Sequence, residues 1–207
     1  MYTPSTLFIL AAAGTALAGK THSRPPVTNA TDTSPAPLSS RANACFVIGN
    51  TALPAEVATV VTDIQSSITC SATVKTISGV PDVTSGAVSF SSVNFAASTQ
   101  TPLQFALSKF ATTSSPLAAA DLATFQDELN VYLATEAGIR SVGGSLAIKV
   151  PKFFLEFQVS RIQTAQGNAP TDPALTVDHL LGKVLKNAAG ESQALLDQVS
   201  ALAKVLS

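Results

Sequence analysis

Cys45 and Cys70 are the only cysteines of this 207-residue chain, and whether they are joined constrains the fold more than any other pair of residues. Thiols stay reduced in the cytosol and pair in oxidising compartments, so the question becomes one of destination. The first eighteen residues bear on it. Leu7-Phe8-Ile9-Leu10-Ala11-Ala12-Ala13 is a short apolar run, and small residues follow it up to Ala16-Leu17-Ala18, an A-x-A pattern of the kind signal peptidase cleaves. The run falls short of the roughly 20 apolar residues that span a bilayer, and Gly19, Lys20 and His22 follow at once. It departs from the usual pattern in one respect, since no Lys or Arg precedes it. Residues 1–18 are therefore expected to be a secretory signal peptide, the rival being a fortuitously apolar first helix, and the protein is expected outside the cell. A Cys45–Cys70 bridge closes a loop of about 25 residues and contributes roughly 3.5 kcal/mol by restricting the unfolded chain. A catalytic or metal-binding thiol would instead need a partner such as His to lower its pKa, and residues 45–70 hold none.

Residues 19–42 differ in character from the remainder of the chain. Pro25, Pro26, Pro35 and Pro37 stand among Ser and Thr, with Val27 and Leu38 the main apolar side chains. Such a stretch buries too little surface to offset the entropy of ordering it, so a disordered segment, linker or propeptide is expected. It carries the sequon Asn29-Ala30-Thr31, which makes Asn29 a candidate glycan site in a secreted protein. A cut after Arg41 would release the compact part. Residues 43–207 then form a single globular domain, long enough for a proper core and too short to argue for two.

That domain holds nine Lys and Arg against twelve Asp and Glu, a formal charge of −3, and only 12% of the whole chain is charged. No run of basic residues is present to neutralise phosphates, so nucleic acid is not an expected partner. Anionic membranes are not favoured on the same ground.

Hydrophobic spacing predicts a helix-rich α+β fold, several amphipathic helices packed with a small antiparallel sheet from the N-terminal part of the domain. Cys45-Phe46-Val47-Ile48 reads as a first strand ended by Gly49-Asn50. Thr51, Pro54 and Glu56 mark a helix start, with Val57, Val60, Val61, Ile64 and Ile68 as its buried stripe and Cys70 at its end. Residues 74–77 and 87–95 read as strands around a turn at Gly79-Val80-Pro81-Asp82, the second with a bulge where the alternation of Val88 and Phe90 slips before Val93 and Phe95. Thr101-Pro102 opens a helix that turns Leu103, Ala106, Leu107 and Phe110 inward. Ser115-Pro116 opens a longer one running to Arg140, with Leu122, Phe125, Leu129, Leu133 and Ala137 on its apolar face and Glu136 with Arg140 as a solvated pair one turn apart. Residues 146–150 look strand-like, and residues 153–160 fit either a helix or a strand, with Pro151 in front favouring the helix. Helices over 176–187 and 191–206 complete the set.

Catalytic chemistry finds little material. His22 lies in the Pro-rich segment, which leaves His179 alone in the domain, so a three-His zinc site is excluded, as is a site of two His and a carboxylate. His179 as a general base would need a nucleophile in reach, and its neighbour Asp178 points to another side of the helix. Gly143-Gly144-Ser145-Leu146-Ala147 approaches the G-x-S-x-G elbow, with Ala in the last place. That elbow needs a strand before Ser145 and a helix after it, the reverse of the order expected here. Paired carboxylates for glycoside chemistry would come from Glu56, Asp63, Asp82, Asp121, Asp127, Glu128 or Glu156, several at helix starts where acids belong anyway. There is no Trp, and Tyr132 is the one Tyr after the leader, so platforms for stacking sugars are lacking. No phosphate-binding Gly-rich loop occurs, and no cofactor is expected. The C-terminal stretch carries Asp197 and Lys204 and does not read as a GPI-attachment tail.

The runs Cys45-Phe46-Val47-Ile48-Gly49-Asn50-Thr51-Ala52-Leu53-Pro54, Gly79-Val80-Pro81-Asp82-Val83 and Asp121-Leu122-Ala123-Thr124-Phe125-Gln126 resemble small secreted proteins of fungi that share an uncharacterised domain. Leu129-Asn130-Val131-Tyr132, Val150-Pro151-Lys152-Phe153-Phe154-Leu155 and Asp178-His179-Leu180-Leu181 fit the same pattern. The resemblance implies an extracellular protein and brings no catalytic residues with it. The leader, the single disulfide, the sparse charge and the missing catalytic sets, with the packed Phe and Leu of residues 153–157, leave three expected functions. The first is a non-catalytic protein at the cell wall, an extracellular surface or a host interface. The others are an extracellular carrier of a lipid or small apolar ligand, and a secreted hydrolase using Ser145 or His179.

Overall fold

Three of the helices start on local side-chain caps. In the computed structural model, which describes residues 44–206, helix α2 (Pro102–Lys109) begins where Thr101 accepts a hydrogen bond from the Gln104 amide and the Gln104 side chain accepts one from the Thr101 amide. That reciprocal box satisfies two amides that would otherwise face water. Helix α3 (Leu122–Ser141) is capped by Asp121, whose carboxylate accepts from the Thr124 amide and hydroxyl and is held below its usual pKa by those bonds. Helix α5 (Val177–Asn187) is capped by Thr176. Between them α4 (Lys149–Ala165) is buried along most of its length, with Phe154, Leu155 and Phe157 sealed from solvent. Helix α1 (Ala55–Ile64) precedes these, and α6 (Gln193–Leu202) comes last.

The sheet has three antiparallel strands in the order β1 (Thr69–Lys75), β2 (Pro81–Ser85) and β3 (Val88–Ser89). Strand β2 alternates cleanly, with Pro81, Val83 and Ser85 inward. The sheet packs on α3, as does α1, while α4 packs against α2, α3 and α5. Tyr132 of α3 sits within the main core. Its ring contacts Phe90, Phe95 and Phe110, edge-on to Phe90 and Phe110, and its hydroxyl donates to the Val93 carbonyl at 2.6 Å. Close approach at Gly138 brings the N-terminal segment onto α3, for a Cβ there would lie 2.6 Å from the Phe46 carbonyl oxygen. Phe46 itself is fully buried.

A helix-rich α+β fold with a small antiparallel sheet and one disulfide is what the sequence predicts, but several elements differ. Residues 45–48 form no strand: a turn closes from the Val47 amide to the Ala44 carbonyl, and the disulfide and Ser141 anchor the segment, the Ser141 hydroxyl accepting from the amides of Ile48 and Gly49. The first helix has Pro54 rather than Thr51 at its cap and ends at Ile64, so Ile68 and Cys70 fall beyond it and Cys70 enters β1. The turn sits over Thr76–Val80, with Pro81 already in β2. The strand expected over 87–95 is two residues long. It then tightens into 3-10 turns that bury Phe90, Val93 and Phe95 in one place, which produces the slip in alternation read as a bulge. After Pro116 comes a short 3-10 turn, and α3 starts six residues later than Pro116, at Leu122. Its most buried face lies near its end, where Val131, Ala134, Ala137 and Ile139 are sealed, while Leu122, Phe125 and Leu129 are half-buried, as is Leu133. Residues 146–148 are loop before α4, not strand, and residues 153–160 are helix. Leu206 lies beyond the last helix, which stops at Leu202.

Candidate functional site

Buried charge is the strongest local peculiarity of this fold. Glu136, on the penultimate turn of α3, is 4% exposed. Arg140 lies one turn on and donates to its Oε1 from Nε and Nη2 at 2.8 and 2.7 Å. Lys152, 8% exposed on the first turn of α4, places Nζ 3.4 Å from Glu136 Oε2 and 3.3 Å from Glu156 Oε1. The Phe153 ring lies against the same ammonium, 3.6 Å from its centroid. The result is a ladder of alternating charge, Arg140, Glu136, Lys152 and Glu156, that ties two helices together. Burial pushes the Glu156 carboxyl above its usual pKa, and the Lys152 ammonium opposes that rise. The Glu136–Arg140 pair, expected to be solvated, is covered by α4 instead, because α4 brings Lys152 onto the face of α3 that carries it.

Arg161 is the second case. It is 1% exposed, and desolvation lowers its pKa. Nη1 donates to Gln158 Oε1 at 2.5 Å, and Nη2 donates to the Val205 carbonyl at 2.9 Å. Gln158 in turn donates to the Phe110 carbonyl at 2.7 Å. Arg161 Nε has no hydrogen-bond partner. This group therefore clamps the chain after α6 and the end of α2 onto α4. A third set locks the β2–β3 turn to α3: Ser85 donates to Asp127 Oδ1 at 2.7 Å, and Asn130 donates to Ser85 at 3.2 Å. Gly86, with φ +52°, lies directly under Asp127, where a side chain would collide with the carboxylate.

Ser145 and His179 do not meet. Ser145 is exposed in the loop between α3 and α4, so a helix rather than a strand precedes it. His179 is exposed on the first turn of α5, and among the described residues no hydroxyl is hydrogen-bonded to its imidazole. Cys45 and Cys70 are joined as a disulfide with Cα atoms 6.1 Å apart. Asn29, His22 and the rest of residues 1–43 lie outside the described residues. Among the described residues no three His, Cys, Asp or Glu stand together as metal ligands. No helix among them is long and apolar enough to cross a membrane.

Lys152 and Arg161 carry only a weak signal in the sequence. Lys152 stands before the apolar Phe153-Phe154-Leu155 with Glu156 one turn on, and Arg161 lies between Val159 and Ile162. Comparison with curated proteins and with solved structures finds no match. A family model described as a domain of unknown function, DUF7143, matches residues 47–207, nearly the whole of the described region. The chain belongs to that family.

Proposed function

We propose that this protein is secreted and acts without catalysis at a cell wall, an extracellular surface or a host interface, as a small stapled domain. The disulfide carries this reading. Cys45 is exposed and Cys70 half-buried, and a bridge so placed persists where the surroundings are oxidising. The apolar run at Leu7–Ala13 followed by Ala16-Leu17-Ala18 supports the same destination. The non-catalytic part is supported by the separate, exposed positions of Ser145 and His179 and by the structural use of the buried ionic groups. The resemblance to secreted fungal proteins points the same way. A charge in the apolar run tests export: Leu10→Arg is expected to leave the protein inside a secreting host cell, while the unaltered chain reaches the medium. Equal secretion of both would overturn the reading.

A further inference from the structure

Three of the nine Lys and Arg in residues 43–207 gather around Phe153, although the sequence shows no basic run. Lys149 and Lys152 come from the first turn of α4 and Lys183 from the middle of α5. Their ammonium nitrogens lie 5.9, 3.6 and 5.9 Å from the centroid of the one ring. Arg140 reaches the group through Glu136. Lys152 is already engaged, since two carboxylates flank its nitrogen. Lys149 and Lys183 form no ion pair within 4.0 Å among the described residues, though Lys183 acts on Glu156 from farther off. Four cations therefore face two carboxylates, Glu136 and Glu156, and the cluster is left with a surplus of positive charge on a domain whose formal charge is −3. Lys186 stands one turn beyond Lys183 on the exposed side of α5, as does His179 one turn before it. Lys149 and Lys183 share the Phe153 ring as a neighbour, and an anion bound between them would offset their mutual repulsion.

We propose that Lys149 and Lys183, backed by Lys152 and Phe153, form a binding site for a phosphate-type oxyanion. Ammonium groups act on such a group as point charges, and two from different helices clasp it from two sides. The group comes either as a free ion or as the headgroup of an anionic lipid. The site is independent of export and goes beyond the function proposed above.

Calorimetric titration with inorganic phosphate and sedimentation with phosphatidylcholine vesicles, with and without phosphatidic acid, test it at low ionic strength. Saturable binding of phosphate is expected, weakened at least tenfold in the Lys149→Ala/Lys183→Ala double variant and restored by Lys149→Arg/Lys183→Arg. Lys75→Ala, on the exposed strand β1, is expected to bind as the unaltered protein does. Both lysines lie at least partly in solvent, so an unchanged unfolding midpoint shows that the variants fold; Lys183→Ala alone serves if the double variant does not. Binding of phosphatidic acid vesicles without free phosphate assigns the headgroup as the source and supports the site. Binding of neither probe, or binding that Lys75→Ala weakens as much as the double variant does, overturns it. Export, read separately from the culture medium, leaves this outcome untouched.

Discussion

Lys152 Nζ lies 3.4 Å from Glu136 Oε2, and through that contact α4 is fastened to the end of α3 inside the protein. Both residues are under a tenth exposed. Each charge is largely out of water and needs its partners for compensation, Arg140 and Lys152 for Glu136, Glu136 and Glu156 for Lys152.

Glu136→Ala therefore leaves Lys152 and Arg140 facing each other without their shared acceptor. The expected loss is about 3–5 kcal/mol, the range for breaking a buried pair from one side. Urea unfolding of the variant measures it, and a loss of less than about 1 kcal/mol, the range for solvated pairs, would mean that the pair is effectively solvated.

Arg161→Ala removes the donors to Gln158 and to the Val205 carbonyl. A loss of about 2–3 kcal/mol is expected, as for hydrogen bonds to a charged group. Amides of residues 199–206 should exchange with solvent faster than in the unaltered protein while those of α3 keep their protection. Uniform exchange across both segments would show that Arg161 is not the clamp.

Glu128, half-buried on α3, has its carboxyl raised to about 7 by desolvation, with Lys109 acting in the opposite sense. The native state thus binds this proton more tightly than the unfolded chain does, and the contribution to stability is full below the ordinary Glu value of 4.5. It is lost as pH rises from there through about 7. Glu128→Gln should flatten that part of the stability profile and be relatively more stable at pH 8 than at pH 4; an unaltered slope in urea midpoint against pH would refute the assignment.

The Cys45→Ser/Cys70→Ser double variant should lose roughly 3.5 kcal/mol, the entropy of a loop of this length released in the unfolded chain. Phe46 sits beside Cys45 and under Gly138, so the loss should be accompanied by exposure of that ring, read as increased dye binding. A variant as stable as the oxidised protein would show that residues 44–51 are held by Ser141 alone.

Capping and helical spacing are legible in the sequence because they are local. Thr101-Pro102 before α2 and Thr176 before α5 lie where the residues place them, and of the stripe read for α1 the part from Val57 to Ile64 does. Strand placement is less local. Residues 45–48 have strand-like composition, yet their partners are the disulfide and Ser141, 93 residues away from Ile48. Pro81 looks like a turn residue and opens a strand, because the reversal is made by Thr76–Val80 before it. The ionic ladder and the lysines around Phe153 are tertiary altogether. Residues 136, 152 and 183 are distant in sequence, and only the packing of α4 against α3 and α5 brings their charges together. In the order of residues only Glu156, one turn on, sets Lys152, a buried ion, apart from Lys183, an exposed one.

Intact-mass measurement of the protein recovered from the medium of cells that express the full chain tests the account most directly. It should give a chain beginning at Gly19 or later, with a mass two hydrogens below the fully reduced form because Cys45 and Cys70 are joined. Recovery only from the cytosol, with Met1 in place and both thiols free, would contradict it.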